Sequence, residues 1–314
     1  MNKKKYSLKP MVSPHSLKRP VCWDEEFGRQ VPMDVEIGFG LGEVLTRGAC
    51  QSPERNFLGI EQHTERVYKT LRRISQERAL RPGSRENIRI LKADARIVFE
   101  RLFVSESIDR LYCLFPCPWP KKGHVKHRLF SSDFLCLLNN RLKPKGTLKV
   151  VTDSYPYYQW ILEQVPSAGF QIDVKTVSPQ YGTKFERKWQ EKGQEEFFEL
   201  CFEKINHVEY VVKKDTPLKS YMLDDVNIDE IQLEDQTGDV SIIFKDMLFD
   251  RDKEKAMICS LVCEENLTQY FWVSIFKRRG KWRVAKADGQ GFFPTPGINK
   301  AVALVYEAAL RTIE

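Results

Sequence analysis

Between residues 33 and 165 short apolar runs alternate with amphipathic ones at a repeat of about 25–30 residues, a pattern that leaves few folds open. Strands are predicted at 35–37, 56–61, 87–91, 109–115 and 147–152. Helices follow them, to about residue 50 and then at 64–78, 96–102, 131–141 and 155–165. A strand that returns to its sheet only through a helix must pair in parallel, with helices on both faces. Two closing strands, 171–177 and 197–202, are read with no helix between them, which makes a mainly parallel sheet of seven strands.

After about residue 206 the grammar changes. Strand-like runs at 208–212, 228–233, 240–245, 256–263, 270–277 and 282–286 follow one another without helices, and a last helix is expected at 298–312. The expected organisation is therefore a basic N-terminal arm (1–22), an α/β domain (23–206) and a smaller α+β domain (207–314). The arm carries Lys3, Lys4, Lys5, Lys9, Lys18 and Arg19 without periodicity and reads as mobile.

Charge separates the same regions. Residues 207–314 hold 15 basic and 18 acidic side chains, so of the chain's 50 and 43 the first 206 residues keep 35 and 25. A basic excess confined to the α/β part suits a polyanionic partner. No apolar run reaches the roughly 18 residues of a membrane span, and no apolar stretch follows the early lysines as it would in a secretory signal. The eight cysteines include no C-x-x-C pair and read as reduced thiols of a cytoplasmic protein, not as a disulfide framework or metal site.

Candidate chemistry collects where predicted strands end. Gly38, Gly40 and Gly42 sit between a strand and a helix, where lack of a Cβ lets the backbone approach a ligand. Glu43 stands where the dinucleotide pattern G-x-G-x-x-G needs its third glycine, and Glu36 adds negative charge beside the loop. The first lowers the nicotinamide reading; the second disfavours a pyrophosphate and suits a cationic group such as a methionine amino group. Glu61 ends the second strand, where acids receive ribose hydroxyls, and Asp94 follows the third, within reach of an adenine amino group. Each acid alone reads rather as a helix N-cap or a solvated loop residue; together, beside a glycine loop, they point to a nucleoside site. Beyond the fourth strand, Pro116, Pro118 and Pro120 enclose Cys117 and Trp119 and then give way to Lys121, Lys122, Lys126 and Arg128. Proline removes a donor and fixes φ, so this segment is a stiffened loop at the carboxyl edge, with cations for phosphates and an indole for stacking. Asp153 ends the fifth strand, and residues 183–187 lie between the closing strands as a lid.

In this order, EIGFGLGEVL, NFLGIE, LKADA, FPCPWPKKGHVKHRL, VVTDSYPYY and YGTKFERKWQEKG closely resemble the bacterial tRNA (guanine-46-N7)-methyltransferase family over about residues 23–203. The resemblance implies a class I, Rossmann-like methyltransferase fold and S-adenosylmethionine as cofactor, contacted by Glu36, Gly38, Gly40, Gly42, Glu61, Asp94 and the residue at 117. It implies that Lys121, Asp153, Thr183, Lys184, Phe185 and Glu186 meet the tRNA or its guanine. Asp153 and Cys117 take the catalytic positions, no metal is implied, and the protein is a monomer or homodimer.

The chain departs from the family at one chemical point. Cys117 stands where the signature has an aspartate, and Gly123, Val125 and His127 thin the basic block. Guanine N7 has a lone pair and no proton, so methylation there needs no general base, and orientation and electrostatics must do most of the work. A thiol is a weaker acceptor than a carboxylate, and losing one charged contact of this kind slows a reaction about 10²-fold or more. Three readings stay open on sequence: a tRNA guanine-N7 methyltransferase, a weakly active or non-catalytic tRNA-binding paralogue, and a methyltransferase for another RNA.

Overall fold

The computed structural model describes residues 6–80 and 86–313, which divide into two compact units, Met1–Lys213 and Lys214–Glu314. In the first unit the chain runs β1 (Met11–Val12), α1 (Trp23–Phe27), β2 (Met33–Ile37), α2 (Glu43–Gln51), β3 (Asn56–Glu61), α3 (Thr64–Leu80), β4 (Ile88–Lys92), α4 (Ala95–Arg101) and β5 (Ile108–Leu114). It continues through α5 (Ser132–Arg141), β6 (Leu142–Thr152), α6 (Tyr155–Gln164), β7 (Phe170–Val177), α7 (Lys184–Gln190) and β8 (Phe197–Lys204).

These strands form one sheet in the order β1-β4-β3-β2-β5-β6-β8-β7. Strands β1 to β6 pair in parallel, and β8 runs antiparallel to both neighbours. The order reverses between β2 and β5, so successive crossovers leave on opposite sides of one crevice. Strand β2 is buried along its whole length, as expected for a strand covered on both faces. On one face Leu45 and Ala49 of α2 and Val67, Leu71 and Ile74 of α3 pack with Phe57, Ile88 and Ile90. Elsewhere α1, α4 and α5 meet through an aromatic stack, Trp23–Phe103–Phe99–Phe134, with centroid separations of 5.3, 5.1 and 5.9 Å.

The sheet has one strand more than its sequence pattern suggests. Residues 6–22 do not form a mobile arm: Met11 and Val12 pair with Ile90 and Leu91, Ile90 N–H donates to the Pro10 carbonyl (2.8 Å), and Val12 and Val21 are buried. A two-residue strand is too short to show a period, and the flanking prolines and lysines mask it. Residues 1–5 of the expected arm lie outside the described residues. A second difference is α7, a helix between the closing strands, started by Thr183 as its cap.

The second unit contains β9 (Tyr221–Leu223), β10 (Val240–Asp250), β11 (Lys255–Glu264), β12 (Leu267–Arg278), β13 (Lys281–Lys286) and α8 (Pro296–Leu310). Its five strands are antiparallel, in the order β10-β11-β12-β13-β9. Ile298, Val302 and Val305 of α8 share its core with Ile242, Ile258, Val273 and Val284. Two expected strands are absent. Around 208 the backbone bonds to side chains instead: Val208 N–H donates to Asn139 Oδ1 and its carbonyl accepts from Asn140 Nδ2, both at 2.9 Å. Tyr210 reaches Asp133 and Lys213 reaches Glu100, which ties residues 207–213 to the first unit. Around 228 the chain makes a single 3-10 turn, Ile228–Glu230.

An acidic side chain at Val12 would be buried at the sheet edge without a partner. Val12→Asp is expected to cost about 2 kcal/mol or more of stability, measured as the urea midpoint. An unchanged midpoint would show that β1 contributes nothing to the sheet.

Candidate active site

The parallel strands end on one edge, and almost every candidate residue lies there. Beyond β2 the backbone turns through Gly38, Gly40 and Gly42, all left-handed, with φ of 72°, 55° and 70°. Gly42 is also a close approach, since a Cβ there would stand 2.4 Å from Thr70 Cγ2. Gly38 N–H donates to the Ile60 carbonyl at 2.8 Å, which hangs the loop on the neighbouring strand.

Beneath this loop Glu36 is 6% exposed, and its Oε2 has no hydrogen-bond partner among the described residues. Burial, reinforced by the nearby Glu43 carboxylate, pushes its pKa up to about 8. A buried carboxylate held neutral next to a glycine loop is a socket for a cation, because a cation would let it ionise. Glu61, at the end of β3, holds the loop from the other side: its Oε2 accepts from Gly40 N–H (3.1 Å) and its Oε1 from His63 N–H (3.0 Å). Arg66 stands 3.4 Å from the same carboxylate. With about four lone-pair sites on a carboxylate, Glu61 retains room for a hydroxyl. Asp94 is the cap of α4, accepting from Arg96 N–H at 2.7 Å, and its second oxygen is bonded by Gln62 Nε2.

Across the switch point, β5 passes into the proline loop. Phe115 N–H still donates to the Val151 carbonyl (2.8 Å), but Phe115 and Trp119 adopt φ of 55° and 44°. Left-handed backbone is costly for aromatic residues and persists only where the surroundings enforce it. Here the enforcement is visible. The Phe115 ring meets Phe197 at 5.1 Å, and Arg128 Nε donates to the Pro118 carbonyl at 2.9 Å. Arg128 is therefore no phosphate ligand: it is buried, its guanidinium lies over the rings of Tyr157 (5.4 Å) and Trp160 (5.2 Å), and its carbonyl accepts from Arg96. Cys117 is exposed at the tip, Lys122 and Lys126 are exposed on a 3-10 turn (Lys122–His127) with Lys121 exposed just before it, and Trp119 is half-buried beside the rings of His124 and His127.

Strand β6, the neighbour of β5, brings Asp153 to the same edge. Ser154, not Asp153, caps α6, so this carboxyl is not consumed by a helix end. It is half-buried, and burial raises its pKa against the opposing charge of Lys188. The lid follows. Thr183 caps α7 by accepting from Glu186 N–H (3.1 Å), and Glu186 points inward, with its carboxylate accepting from the backbone N–H groups of Gln180 (2.7 Å), Tyr181 (2.9 Å) and Gly182. Three backbone donors occupy this buried acid, so its task is to shape the loop before α7 rather than to receive a guanine edge. Lys184 and Phe185 remain exposed, with Arg66 5.7 Å from the Phe185 ring. Two residues that the sequence did not single out dock the lid. Arg187 reaches Glu43 at 2.8 Å, and Arg47 of α2 donates to the Tyr181 carbonyl at 2.6 Å.

A doubly wound sheet with a glycine turn, an acid after each of the next two strands and a rigid loop at the switch point defines a class I methyltransferase. Residues 30–199 match a family described as putative methyltransferases. A tRNA (guanine-N7)-methyltransferase of Chlorobium phaeobacteroides is 43% identical over 177 residues, covering 56% of this chain and 84% of the relative. The protein of the same name from Thermotoga maritima is 29% identical over 309 residues, 96% of both chains, and so matches the second unit as well. The corresponding protein of Nitrosomonas europaea is 37% identical over 192 residues and 83% of its length. This chain belongs to the tRNA (guanine-N7)-methyltransferase family.

Two opposite effects are expected of Glu36→Gln. Because its folded pKa of about 8 lies above the ordinary 4.5, Glu36 favours folding when protonated, and that stability is lost as pH rises from about 4.5 through 8. The variant should melt higher than wild type at pH 8 without ligand, and should bind S-adenosylmethionine at least about tenfold more weakly. In wild type, affinity should rise with pH up to about 8, since a cationic ligand displaces the proton. Calorimetry at several pH values checks this, and a flat profile would refute the socket.

Proposed function

We propose that this protein transfers the methyl group of S-adenosylmethionine to N7 of a guanine in tRNA, at position 46 of the variable loop. The observation that carries the reading is the meeting, at one sheet edge, of a glycine loop over an unpartnered buried carboxylate with a rigid loop bearing exposed lysines. The first half suits the cofactor and the second a polyanion.

The donor set fits S-adenosylmethionine. Glu36 would take the cationic end of its methionine moiety over the backbone of Gly38, Gly40 and Gly42. Glu61 would receive ribose hydroxyls, and Asp94, through the oxygen that Gln62 now occupies, the adenine amino group. When bound, the cofactor supplies an electrophilic methyl on a sulfonium, for which the N7 lone pair needs no base.

What the chain must supply is therefore position and field. Asp153, not engaged as a cap and partly desolvated, would accept from the N1–H and amino group of guanine, the edge opposite N7. Lys121, with Lys122 and Lys126, would hold phosphates beside it, and Lys184 and Phe185 would close over the target from the lid. Thr183 and Glu186 act indirectly, by fixing the loop that carries them. Cys117 stands at the catalytic position with a thiol in place of a carboxylate. The cytoplasm, where tRNA is found, is the working compartment, and the chain acts as a monomer or homodimer.

Unmodified tRNA with labelled cofactor should yield N7-methylguanine on wild-type protein. Salt-sensitive tRNA binding without turnover would instead assign the protein to a tRNA-binding role, the reading favoured by Cys117. Asp153→Asn should lower kcat/KM about 10²-fold while leaving cofactor affinity unchanged. Cys117→Asp, assayed beside wild type, should raise turnover about tenfold or more by restoring a charge near the cationic product. An unchanged rate would mean that the position contributes only its backbone.

A further inference from the structure

A cavity of about 380 Å³ lies outside the crevice, lined by α2, α3 and the start of α7. Three arginines face it, one from each helix: Arg47, Arg73 and Arg187, accompanied by Glu43 and Glu77. None of the three guanidiniums is used up. Arg47 donates one Nη to the Tyr181 carbonyl (2.6 Å). Arg73 donates Nε to the Leu41 carbonyl (3.0 Å) and stands 3.8 Å from Glu43. Arg187 donates to the Gly182 carbonyl (2.6 Å) and to Glu43 (2.8 Å). A guanidinium has five N–H donors, so each retains some for a ligand. The lining holds one more cation than anions, and Glu43 is shared by two of the arginines.

The surroundings select the ligand. Lys184 and Lys188 of α7 are exposed along one of the helices that meet at the cavity, and α3 adds Lys69, paired with Glu65 at 2.6 Å, and Arg72, which lies over the Tyr6 ring. A pocket of guanidiniums within a wider cationic surface matches one phosphate of a polyanion, with the neighbouring phosphates held by the flanking side chains.

We infer that this cavity seats a phosphodiester of the RNA backbone, and that the phosphate, bridging Arg47, Arg73 and Arg187, clamps α7 onto α2 and α3. The inference rests on the tRNA reading above and adds to it a second RNA contact, on the lid's outer side. Its consequence is mechanical: the lid that carries Lys184 and Phe185 is held closed by the substrate itself. Glu43, the first residue of α2 after Gly42, makes the same clamp continuous with the cofactor loop.

The test uses charge of both signs at one position that holds nothing together. Gln51, the last residue of α2, lines the cavity and is exposed. In full-length protein, Gln51→Lys should tighten tRNA binding about threefold and Gln51→Glu should loosen it by a similar factor, with S-adenosylmethionine affinity unchanged. A folding defect cannot produce opposite shifts. Arg73→Gln should weaken tRNA binding and reduce the slope of log affinity against log salt by about 0.7, the contribution of one phosphate. Inorganic phosphate, titrated at constant ionic strength and followed by ³¹P NMR, provides the second arm. Phosphate binding that responds to the Gln51 substitutions while tRNA affinity does not would overturn the RNA assignment in favour of a free-anion site. No response in either arm would overturn the site altogether. Wild-type methyl transfer, measured on the same preparations, separates these outcomes from failure of the functional reading: a wild type that methylates tRNA with unresponsive Gln51 variants leaves that reading standing and removes only the clamp.

Discussion

Everything at the active edge depends on the reversal of strand order between β2 and β5. Because the crossovers after these two adjacent strands leave in opposite directions, neither covers the space above their ends. A crevice opens there without any residue having been removed to make it. The glycine loop and the proline loop are the two walls of that crevice. Each is rigid for a different reason. The first is tied by Glu61 and the Ile60 carbonyl, and the second by proline, by the Phe115–Phe197 contact and by the buried Arg128 beneath Pro118. Preorganised walls matter for a reaction whose nucleophile needs no activation, because the remaining barrier is largely one of placement.

Glu36 shows what such a site costs the fold. Burying a carboxyl with an unpartnered oxygen is unfavourable, and the fold meets the cost by keeping the group protonated near neutral pH. The expense becomes useful when a cationic ligand arrives, since the charge that could not be ionised alone can be ionised as a pair. Glu43 has an opposite history. It raises Glu36 from one side and is itself ion-paired with Arg73 and Arg187, so glycine loop, α3 and α7 meet at one carboxylate.

The strand–helix alternation made most of the first unit readable, because period and breaker residues are local signals. Glycine spacing, Glu36 and the proline loop were legible for the same reason. Partnership was not. Arg128 looks in sequence like one more cation of a basic run, and only the placement of Tyr157 and Trp160 turns it inward. Glu186 looks like a free acid in a lid; the Thr183-Lys184-Phe185-Glu186 pattern marks the start of α7, but only the fold shows its carboxylate taken up by the backbone of residues 180–182. Met11–Val12 and Tyr221–Leu223 escaped because strands so short carry no period, and 208–212 misled because the carboxamides of Asn139 and Asn140 take the place of a ladder.

The thiol at 117 is best understood through what surrounds it. The loop's shape does not rest on that side chain. Its fixed points are the two left-handed aromatics, the prolines and the Arg128 bond to Pro118, all independent of the residue between them. Exchange of a carboxylate for a thiol therefore subtracts charge without moving the backbone. If the position's contribution is electrostatic, its loss leaves binding of both partners intact and slows only the methyl transfer. If its contribution is steric, almost nothing is lost. The architecture thus separates two roles that an aspartate at this place would combine: fixing the loop, which the backbone does here, and placing a negative charge at its tip, which the thiol does not supply and for which the proposed reaction turns to Asp153.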